Sequence, residues 1–344
     1  MGQRLGRFPQ AWGTGSGAVL VLLVIGVAML APPRRFTVLG DSMAPALRSG
    51  DVVQTGWFSL CDRLVAPRRF ECWVLRVADA DDPTSNVPVL KRVVGLPGED
   101  VSLVEGDVVV AGRLVLKSPA GLASVAVHVP SPALEAPRTW QRPATEMLDD
   151  VALDMDVPHA LLPVRDGGLA AVIDVEGLPA HGFVRLRVEV GPATVSWRMR
   201  ATGRYGCVAG RLDGHLVGAC WPLRPSDIVP GRRSCLPPRP PTTWQVAEPW
   251  PQAATTADVL APRIALRLDG SGAAELTQVS AWRDVLYRPV INGTASWRPA
   301  AGEFVVLGDV SVASRDSRHW GPVTRASLFH RVLVEPDAIK ARGH

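Results

Sequence analysis

Short stretches of alternating apolar and polar residues, cut by glycine and proline, run along most of the chain and point to β structure. Asp51–Gln54 and Asp107–Val110 show this pattern early in the chain, and Glu303–Gly308 and Leu328–Val334 restore it near the end. No long amphipathic helix stands out. We therefore predict a mainly β fold in which the two ends of the chain form one split β domain around a long insertion.

Changes in the pattern of apolar and polar residues along the chain suggest boundaries for the split domain and its insertion. The first part of the split domain is predicted at residues 34–116 and its second part at residues 299–336, followed by a C-terminal tail at residues 337–344. Residues 117–298 are predicted to form the inserted, β-rich domain. Phe183–Val190 is one of its strand candidates.

An uncharged, largely apolar segment precedes the β pattern. No charged residue occurs from Ala11 to Pro33, and this length reaches the roughly 20 residues that one helix needs to cross a bilayer. We predict a single transmembrane anchor at residues 11–33, after a short cytoplasmic N-terminus at residues 1–10. The residues that follow the anchor form the bulk of the chain and must therefore carry its function.

A cleaved secretory signal is the alternative for this segment, because Arg4 and Arg7 form a basic region ahead of it. However, Ala28–Pro33 has no clean small-x-small cleavage site, and proline just after a scissile bond is unfavourable. These features favour an uncleaved anchor. Charge alone does not decide its orientation, because Arg34 and Arg35 follow the span and the positive-inside rule weighs both flanks.

The charge of the chain argues against one class of partner. Its formal net charge is +4 over 344 residues, and no run of lysine or arginine is suited to line a phosphate backbone. We therefore expect no nucleic-acid partner. A hydrophobic content of 47% against 20% charged residues indicates a globular protein with a sizeable core.

Five cysteines are too few to build a disulfide scaffold, and their odd number leaves at least one without a partner in the chain. Cys207 and Cys220 flank a segment with an Asp-Gly pair, which predicts a hairpin that brings them opposite each other. A disulfide and two buried thiols both fit this pattern. Neither the cysteines nor the histidines show metal-ligand spacing, so no metal or other cofactor is predicted.

Ser42 and Lys91 lie in contexts that suit nucleophilic catalysis. A serine hydroxyl is a weak nucleophile until a base removes its proton, and lysine is that base only when its amine is neutral. Leu90, Val93 and Val94 give Lys91 apolar neighbours, and full burial lowers a lysine pKa by up to about 3–5 units. Taken alone, each motif is more often an ordinary turn or a solvated surface. Their combination indicates a Ser/Lys peptidase.

A third motif lies far downstream, at Gly308–Pro322. It contains Ser314 and the ion-pair candidates Asp316 and Arg318. Small polar residues and an ion pair are suited to orient a serine and a lysine. This third motif is therefore a candidate support for the pair.

The order of these features resembles that of the bacterial type I signal peptidases. The anchor comes first, followed by Gly-Asp-Ser-Met-x-Pro around Ser42, Lys-Arg-Val-Val-Gly-Leu-Pro-Gly at Lys91, and then the third motif. The resemblance covers Phe36–Leu116 and Glu303–Val334. It implies that Ser42 attacks the peptide carbonyl to form an acyl-enzyme, and that Lys91 takes and returns its proton.

The same resemblance implies supporting roles in the third motif. The serine that matches Ser314 hydrogen-bonds the lysine amine and orients it. The pair that matches Asp316 and Arg318 braces the site by an ion pair. Asp309 is implied to be a further structural support.

The resemblance also implies a substrate class. Met43 and Pro45 match residues that shape the turn and the shallow apolar pockets for small side chains at the −1 and −3 positions of the substrate, which implies Ala-x-Ala-like cleavage. Gly40 stands where some family members carry a serine that completes the oxyanion hole. This site would therefore depend on backbone N–H groups, chiefly that of Ser42.

The third motif also departs from the family pattern. Where the family usually reads Gly-Asp-Asn-Arg, this chain has Val310 and Ser311 in place of the last two residues. Loss of the amide and the guanidinium removes hydrogen bonds near the catalytic serine, which bears on efficiency more than on identity. Glu99 replaces the usual aspartate after Leu-Pro-Gly and keeps the charge.

Alternative interpretations remain for both parts of the chain. His319 and His330 offer a rival Ser/His/Asp triad, although a packing or surface role for His319 is the plainer account. The inserted region loosely resembles concanavalin-like β-sandwich domains around Gly210–Val217 and Val279–Tyr287, and an enlarged β cap that packs on the core is the other interpretation. A self-cleaving repressor shares the Ser/Lys chemistry, but it would be soluble and carry a DNA-binding element.

The leading hypothesis is a serine endopeptidase of the inner membrane that removes signal peptides from exported preproteins, with its catalytic domain on the extracytoplasmic side. Its expected partners are preprotein signal peptides, the lipid bilayer and an unidentified ligand of the inserted domain. The alternative hypothesis is a catalytically impaired relative whose inserted domain is a binding module in the cell envelope.

Overall fold

A computed structural model describes residues 35–55, 65–78, 86–152, 159–227, 235–289 and 293–334. The predicted anchor at residues 11–33 and the predicted terminal segments at residues 1–10 and 337–344 lie outside these ranges. Among the helices of the described ranges, none has the length and apolar character needed to cross a membrane.

The described residues form a mainly β structure, as predicted. In chain order the strands are β1 (Arg35–Thr37), β2 (Val52–Thr55), β3 (Cys72–Ala78), β4 (Asn86–Gly95), β5 (Val101–Val104), β6 (Asp107–Val110), β7 (Arg113–Leu114), β8 (Val127–Val129), β9 (Thr139–Arg142), β10 (Gly167–Gly177), β11 (Val184–Val190), β12 (Ala193–Met199), β13 (Gly203–Leu212), β14 (His215–Pro222), β15 (Val246–Pro249), β16 (Ile264–Gly270), β17 (Ala273–Arg283), β18 (Ser296–Trp297), β19 (Glu303–Leu307), β20 (Val323–Thr324) and β21 (Leu328–Val334). The short helices are α1 (Pro119–Ala123), α2 (Thr256–Leu260) and α3 (Ser317–Trp320), with 3-10 turns at Pro225–Asp227, Ser311–Ala313 and Arg325–Ser327.

One seven-stranded sheet joins the two ends of the chain. Its strand order is β1-β2-β21-β3-β4-β19-β20, and every pairing within it is antiparallel. The pairing of β19 with β4 sets Val306 opposite Val93 and Leu307 opposite Arg92. The strand that carries Lys91 therefore lies beside the strand that leads into the third motif.

The inserted region contains two antiparallel sheets that share one core. Their strand orders are β15-β14-β13-β10-β17-β8 and β12-β11-β16-β9. Buried residues from both sheets, such as Leu169 and Ile173 of β10 and Leu186 and Val188 of β11, belong to one apolar cluster. Two sheets packed through their apolar faces form a β-sandwich arrangement.

The other face of the six-stranded sheet packs on the split domain. Ala170 and Val172 of β10 share a second apolar cluster with Val94 and Val305 from the seven-stranded sheet. Both faces of β10 are therefore covered, which explains why Leu169–Ile173 reads as a continuous apolar run rather than an alternating one. This packing fits the interpretation of the insertion as an enlarged β cap.

A small four-stranded sheet, in the order β18-β5-β6-β7, lies at the same junction. β18 falls within the predicted insertion, but Trp297 pairs with Val101 in the predicted first part of the split domain. The insertion and the split domain thus share a sheet as well as a core.

The predicted hairpin between Cys207 and Cys220 is present. Asp213 has φ +46° and Gly214 has φ +76°, as a two-residue type I′ turn requires. β13 and β14 pair in a register that places Cys207 directly opposite Cys220, and the two form a disulfide. Of the two interpretations open at the sequence level, the structure has the disulfide.

Candidate active site

The turn that carries Ser42 lies between β1 and β2. Gly40 has φ +82°, a left-handed conformation that favours glycine. The Asp41 carbonyl accepts a hydrogen bond from the Ala44 N–H at 3.0 Å, and the Asp41 carboxylate accepts one from the Ser49 N–H at 2.9 Å. These bonds close the turn around Ser42, which is half-buried.

Lys91 reaches Ser42 from strand β4. The Lys91 Nζ lies 2.8 Å from the Ser42 Oγ, and Lys91 is only 4% exposed. Burial lowers the pKa of Lys91 from 10.5 to about 8, against the opposing charges of Asp316 and Asp309. The amine is therefore partly neutral near physiological pH and within hydrogen-bond distance of the hydroxyl, which is the geometry that proton transfer requires.

Asp316 and Arg318 form a buried ion pair in the third motif. The Arg318 Nε donates to the Asp316 Oδ1 at 2.8 Å, and a second guanidinium nitrogen contacts the other carboxylate oxygen. Both residues are at most 1% exposed. Burial alone would raise the pKa of Asp316, but the hydrogen bonds and charge of Arg318 hold that pKa below its usual value. The carboxylate thus stays ionised as a fixed acceptor.

Ser314 lies beside this carboxylate. Its Oγ donates to the Asp316 Oδ2 at 2.9 Å, and the Gly308 N–H donates to the same oxygen at 2.9 Å. The resemblance implied a hydrogen bond from Ser314 to the Lys91 amine, whereas the described contact runs to Asp316. A Cβ added at Gly308 would lie 2.6 Å from the Ser314 Cβ and 2.8 Å from the Ser42 carbonyl oxygen. Glycine therefore lets the third motif approach the backbone of Ser42.

Asp309 is held by Arg92, a residue that sequence reasoning had not assigned to the site. The Arg92 Nε and Nη2 donate to the two Asp309 carboxylate oxygens at 2.8 and 2.6 Å. Arg92 is fully buried, and its remaining donors bond Phe70 and Ser124. Its position in an apolar strand was the available signal, because a buried arginine needs a paired acid.

Val310 and Ser311, the two residues that depart from the family pattern, both form hydrogen bonds. The Val310 N–H donates to the Ser42 carbonyl at 3.0 Å. The buried Ser311 hydroxyl accepts a hydrogen bond from the Arg288 N–H at 3.0 Å and donates to the Leu286 carbonyl at 3.0 Å. Both residues therefore contribute ordered contacts, although neither carries the amide or guanidinium of the family pattern.

The residues assigned to the substrate pocket differ in exposure. Met43 is 1% exposed and packs with Val38, Leu47 and Val53 in a small apolar cluster, whereas Pro45 is half-buried. The Met43 side chain lies in the core beneath the turn. The pocket role of both residues stays a prediction.

His319 makes a capping contact rather than a contact with Ser42 or Ser314 in its described hydrogen bond. The Asp316 N–H donates to the His319 Nδ1 at 3.4 Å, which is a cap at the start of helix α3. The structure thus gives His319 a local structural contact, in line with the plainer account of this residue.

One group of acidic side chains lies away from Ser42. Among the described residues, the carboxylates of Asp107, Asp166, Asp213 and Asp284 come close enough to share a cation. The Lys117 Nζ lies 2.8 Å from Asp213 and 2.6 Å from Asp284, so a buried ammonium already contacts two of the four. The cluster ties the insertion to strand β6.

The pH dependence of stability is expected to reflect Asp107. Burial, reinforced by the charge of Asp166, raises the pKa of Asp107 to about 8. The folded protein therefore keeps a proton that the unfolded chain releases, so this stabilisation is lost as the pH rises through about 8. Asp107→Asn mimics the protonated carboxyl, and we expect its melting temperature to fall less than that of the wild type between about pH 6 and about pH 9. An equal fall in melting temperature for Asp107→Asn and the wild type, measured by thermal unfolding, would contradict this assignment.

A half-buried serine that contacts a buried lysine with a lowered pKa is an arrangement that suits Ser/Lys hydrolysis. The family model described as "Signal peptidase, peptidase S26" matches residues 11–135, a stretch that contains both Ser42 and Lys91. The resemblance seen in the sequence is thereby confirmed: residues 11–135 match an S26-type signal peptidase domain, and this match supports a peptidase-type activity. A search of curated proteins found no match to the chain.

Proposed function

We propose that the protein removes signal peptides from exported preproteins after small residues, by acyl transfer through Ser42 and Lys91. The observation that carries this proposal is the 2.8 Å contact between the Lys91 Nζ and the Ser42 Oγ. The family match at residues 11–135 supports the peptidase class. The uncharged segment at residues 11–33 would anchor the protein in the inner membrane, with the β structure on the extracytoplasmic side.

The proposed reaction begins with the neutral Lys91 amine, which takes the proton from the Ser42 Oγ as this oxygen attacks the scissile carbonyl. The Ser42 backbone N–H stabilises the oxyanion. The Lys91 ammonium then returns the proton to the leaving amine, and the acyl group stays on Ser42. Lys91 next activates a water molecule that hydrolyses the acyl-enzyme.

The electrostatic surroundings of Lys91 suit this cycle. Burial favours the neutral amine before each attack, whereas the charges of Asp316 and Asp309 favour the ammonium that forms during it. The Arg318 and Arg92 ion pairs hold these two carboxylates in place. The resulting pKa of about 8 allows the same group to act as base and then as acid.

The direct test is cleavage of a preprotein with an Ala-x-Ala site by the detergent-solubilised full chain. We expect the wild type to release the mature protein with a new N-terminus directly after the second alanine, and Ser42→Ala to release none. Ser196→Ala removes an exposed serine of strand β12 and is the matched control, with wild-type activity expected. If the folded wild type cuts no such preprotein, the proposed function is wrong, and the binding-module alternative gains support.

The pH dependence of cleavage should report on Lys91. Because the base must be neutral and its pKa is about 8, kcat/KM should rise by about tenfold per pH unit below that value and level off above it. The measurement is kcat/KM between about pH 6 and about pH 10. A flat profile across this range would exclude Lys91 as the titrating base.

A further inference from the structure

A short segment of the insertion runs along the third motif. It follows strand β17, and its residues from Asp284 to Arg288 are all buried. We name Leu286–Arg288 the support segment. It lies within the predicted insertion at residues 117–298, and it also contacts the third motif, which bonds the Ser42 backbone through Val310.

The support segment holds two charged residues of the third motif. The Tyr287 hydroxyl lies 3.3 Å from the Asp309 Oδ1, to which it donates. The Arg288 carbonyl accepts a hydrogen bond from the Arg318 Nη1 at 3.0 Å. Asp309 and Arg318 belong to the two ion pairs whose charges act on the pKa of Lys91, so both pairs have a partner in the insertion.

Ser311 completes this connection. Its hydroxyl accepts a hydrogen bond from the Arg288 N–H and donates one to the Leu286 carbonyl, each at 3.0 Å. Ser311 directly follows Val310, whose N–H donates to the Ser42 carbonyl at 3.0 Å. A path from the insertion to the Ser42 backbone therefore passes through Ser311 and Val310.

The far side of the support segment is fixed within the insertion. The Arg288 Nε donates to the Asp149 Oδ2 at 2.8 Å, and its Nη1 donates to the Ala160 carbonyl at 2.5 Å. Arg288 is 8% exposed. A segment held on both sides supplies a rigid reference for the third motif.

We propose that Ser311 and Tyr287 are positioning residues for Ser42 and Lys91, and that the inserted domain is thereby a working part of the active site. The inference rests on the proposed function of that pair. Where the family pattern has an arginine, this chain has a short hydroxyl that binds backbone groups of its own insertion. Neither positioning residue is assigned contact with the substrate.

The test compares Ser311→Ala and Tyr287→Phe with two matched controls. Ser280→Ala removes a hydroxyl that donates to the Cys235 carbonyl at 2.8 Å, and Tyr205→Phe removes one that donates to the Ala201 carbonyl at 3.1 Å. Both controls lie in the insertion, away from the third motif. The readouts are kcat and KM for preprotein cleavage, the rate at which a fluorophosphonate labels Ser42, and the melting temperature.

We expect Ser311→Ala to lower kcat and the labelling rate by about 10- to 100-fold, because small displacements of a reacting group have effects of this size. KM should stay within about threefold of the wild type, since Ser311 is buried and its hydroxyl is already bonded to Arg288 and Leu286. Ser311→Thr keeps the hydroxyl and should restore most of the rate. Tyr287→Phe should show a smaller loss of the same kind, and both controls should match the wild type.

The inference is wrong if Ser311→Ala and Tyr287→Phe lower the melting temperature but keep wild-type kcat and labelling rate, because the contacts would then be structural only. If Ser311→Ala does not fold, Tyr287→Phe decides by the same readouts. Labelling separates this inference from the proposed function. A wild type that is labelled at Ser42 but cuts no preprotein contradicts the signal-peptide assignment, while the variants still test the positioning of the serine.

Discussion

Replacing Lys91 with methionine should lower kcat for preprotein cleavage by about 10²- to 10⁴-fold, the usual contribution of a general base. Among the described residues, Lys91 is the basic side chain that contacts the nucleophile: its Nζ lies 2.8 Å from the Ser42 Oγ. Methionine fills a similar volume without a buried amine. We therefore expect Lys91→Met to fold and to bind substrate, but to activate Ser42 no longer.

Lys91→Arg is the control for charge. A guanidinium keeps the positive charge beside Asp316 and Asp309 but does not release a proton at accessible pH. We expect this variant to be as inactive as Lys91→Met, which would assign the effect to proton transfer rather than to charge. Wild-type rates in either variant, with folding verified by circular dichroism, would rule out the Ser/Lys mechanism.

Removing the carboxylate of Asp309 should destabilise the protein by about 3–5 kcal/mol, because breaking a buried pair leaves an uncompensated charge. Arg92 is fully buried, and its guanidinium donates to both Asp309 oxygens. In Asp309→Ala that guanidinium has no acid to pair with. The measurement is the free energy of unfolding from urea titration of the solubilised chain.

Asp269→Ala is the matched control for this prediction. Asp269 pairs with Arg267 at 2.7 Å, but the Arg267 side chain is 68% exposed. Exposed pairs contribute roughly 0–1 kcal/mol, so this variant should unfold close to the wild type. Equal losses in the two variants would show that the burial of the Arg92–Asp309 pair does not govern its contribution.

The sequence was sufficient to predict the mainly β fold and the two residues that meet at the site. The alternation that predicts strands is a local property of the sequence, and the motifs around Ser42 and Lys91 match a family pattern. Neither prediction needed knowledge of distant contacts. The structure places the two side chains within hydrogen-bond distance. Their catalytic roles stay predictions until the variants are measured.

The contacts that sequence reasoning missed are those between distant segments. Arg92 was assigned no role from the sequence, yet adjacent residues of a strand face opposite sides, and here Lys91 and Arg92 are both buried. The partner of Arg92 is Asp309, more than two hundred residues away in sequence, and no local pattern predicts this pairing. Ser311 was likewise noted only as the loss of the family's arginine. Its actual partners, backbone groups of Leu286 and Arg288, lie in a distant segment that local sequence does not identify.

The insertion shows the same limit at the level of domains. Alternation predicts strands, but it does not tell which sheet a strand joins or what covers its second face. β10 reads as apolar on both faces because one face packs within the sandwich and the other on the split domain. This double burial explains how an inserted domain comes to touch the third motif.

Acylation of Ser42 is the step on which the proposed function depends, and mass spectrometry of the acid-quenched protein detects the acyl-enzyme itself. The substrate is a peptide ester ending in Ala-x-Ala, whose good leaving group makes acylation faster than hydrolysis of the acyl-enzyme. We expect the peptide's acyl part on the fragment that contains Ser42, and no adduct in Ser42→Ala. Turnover of the ester at the wild-type rate by Ser42→Ala, or an adduct on another residue, would contradict this expectation.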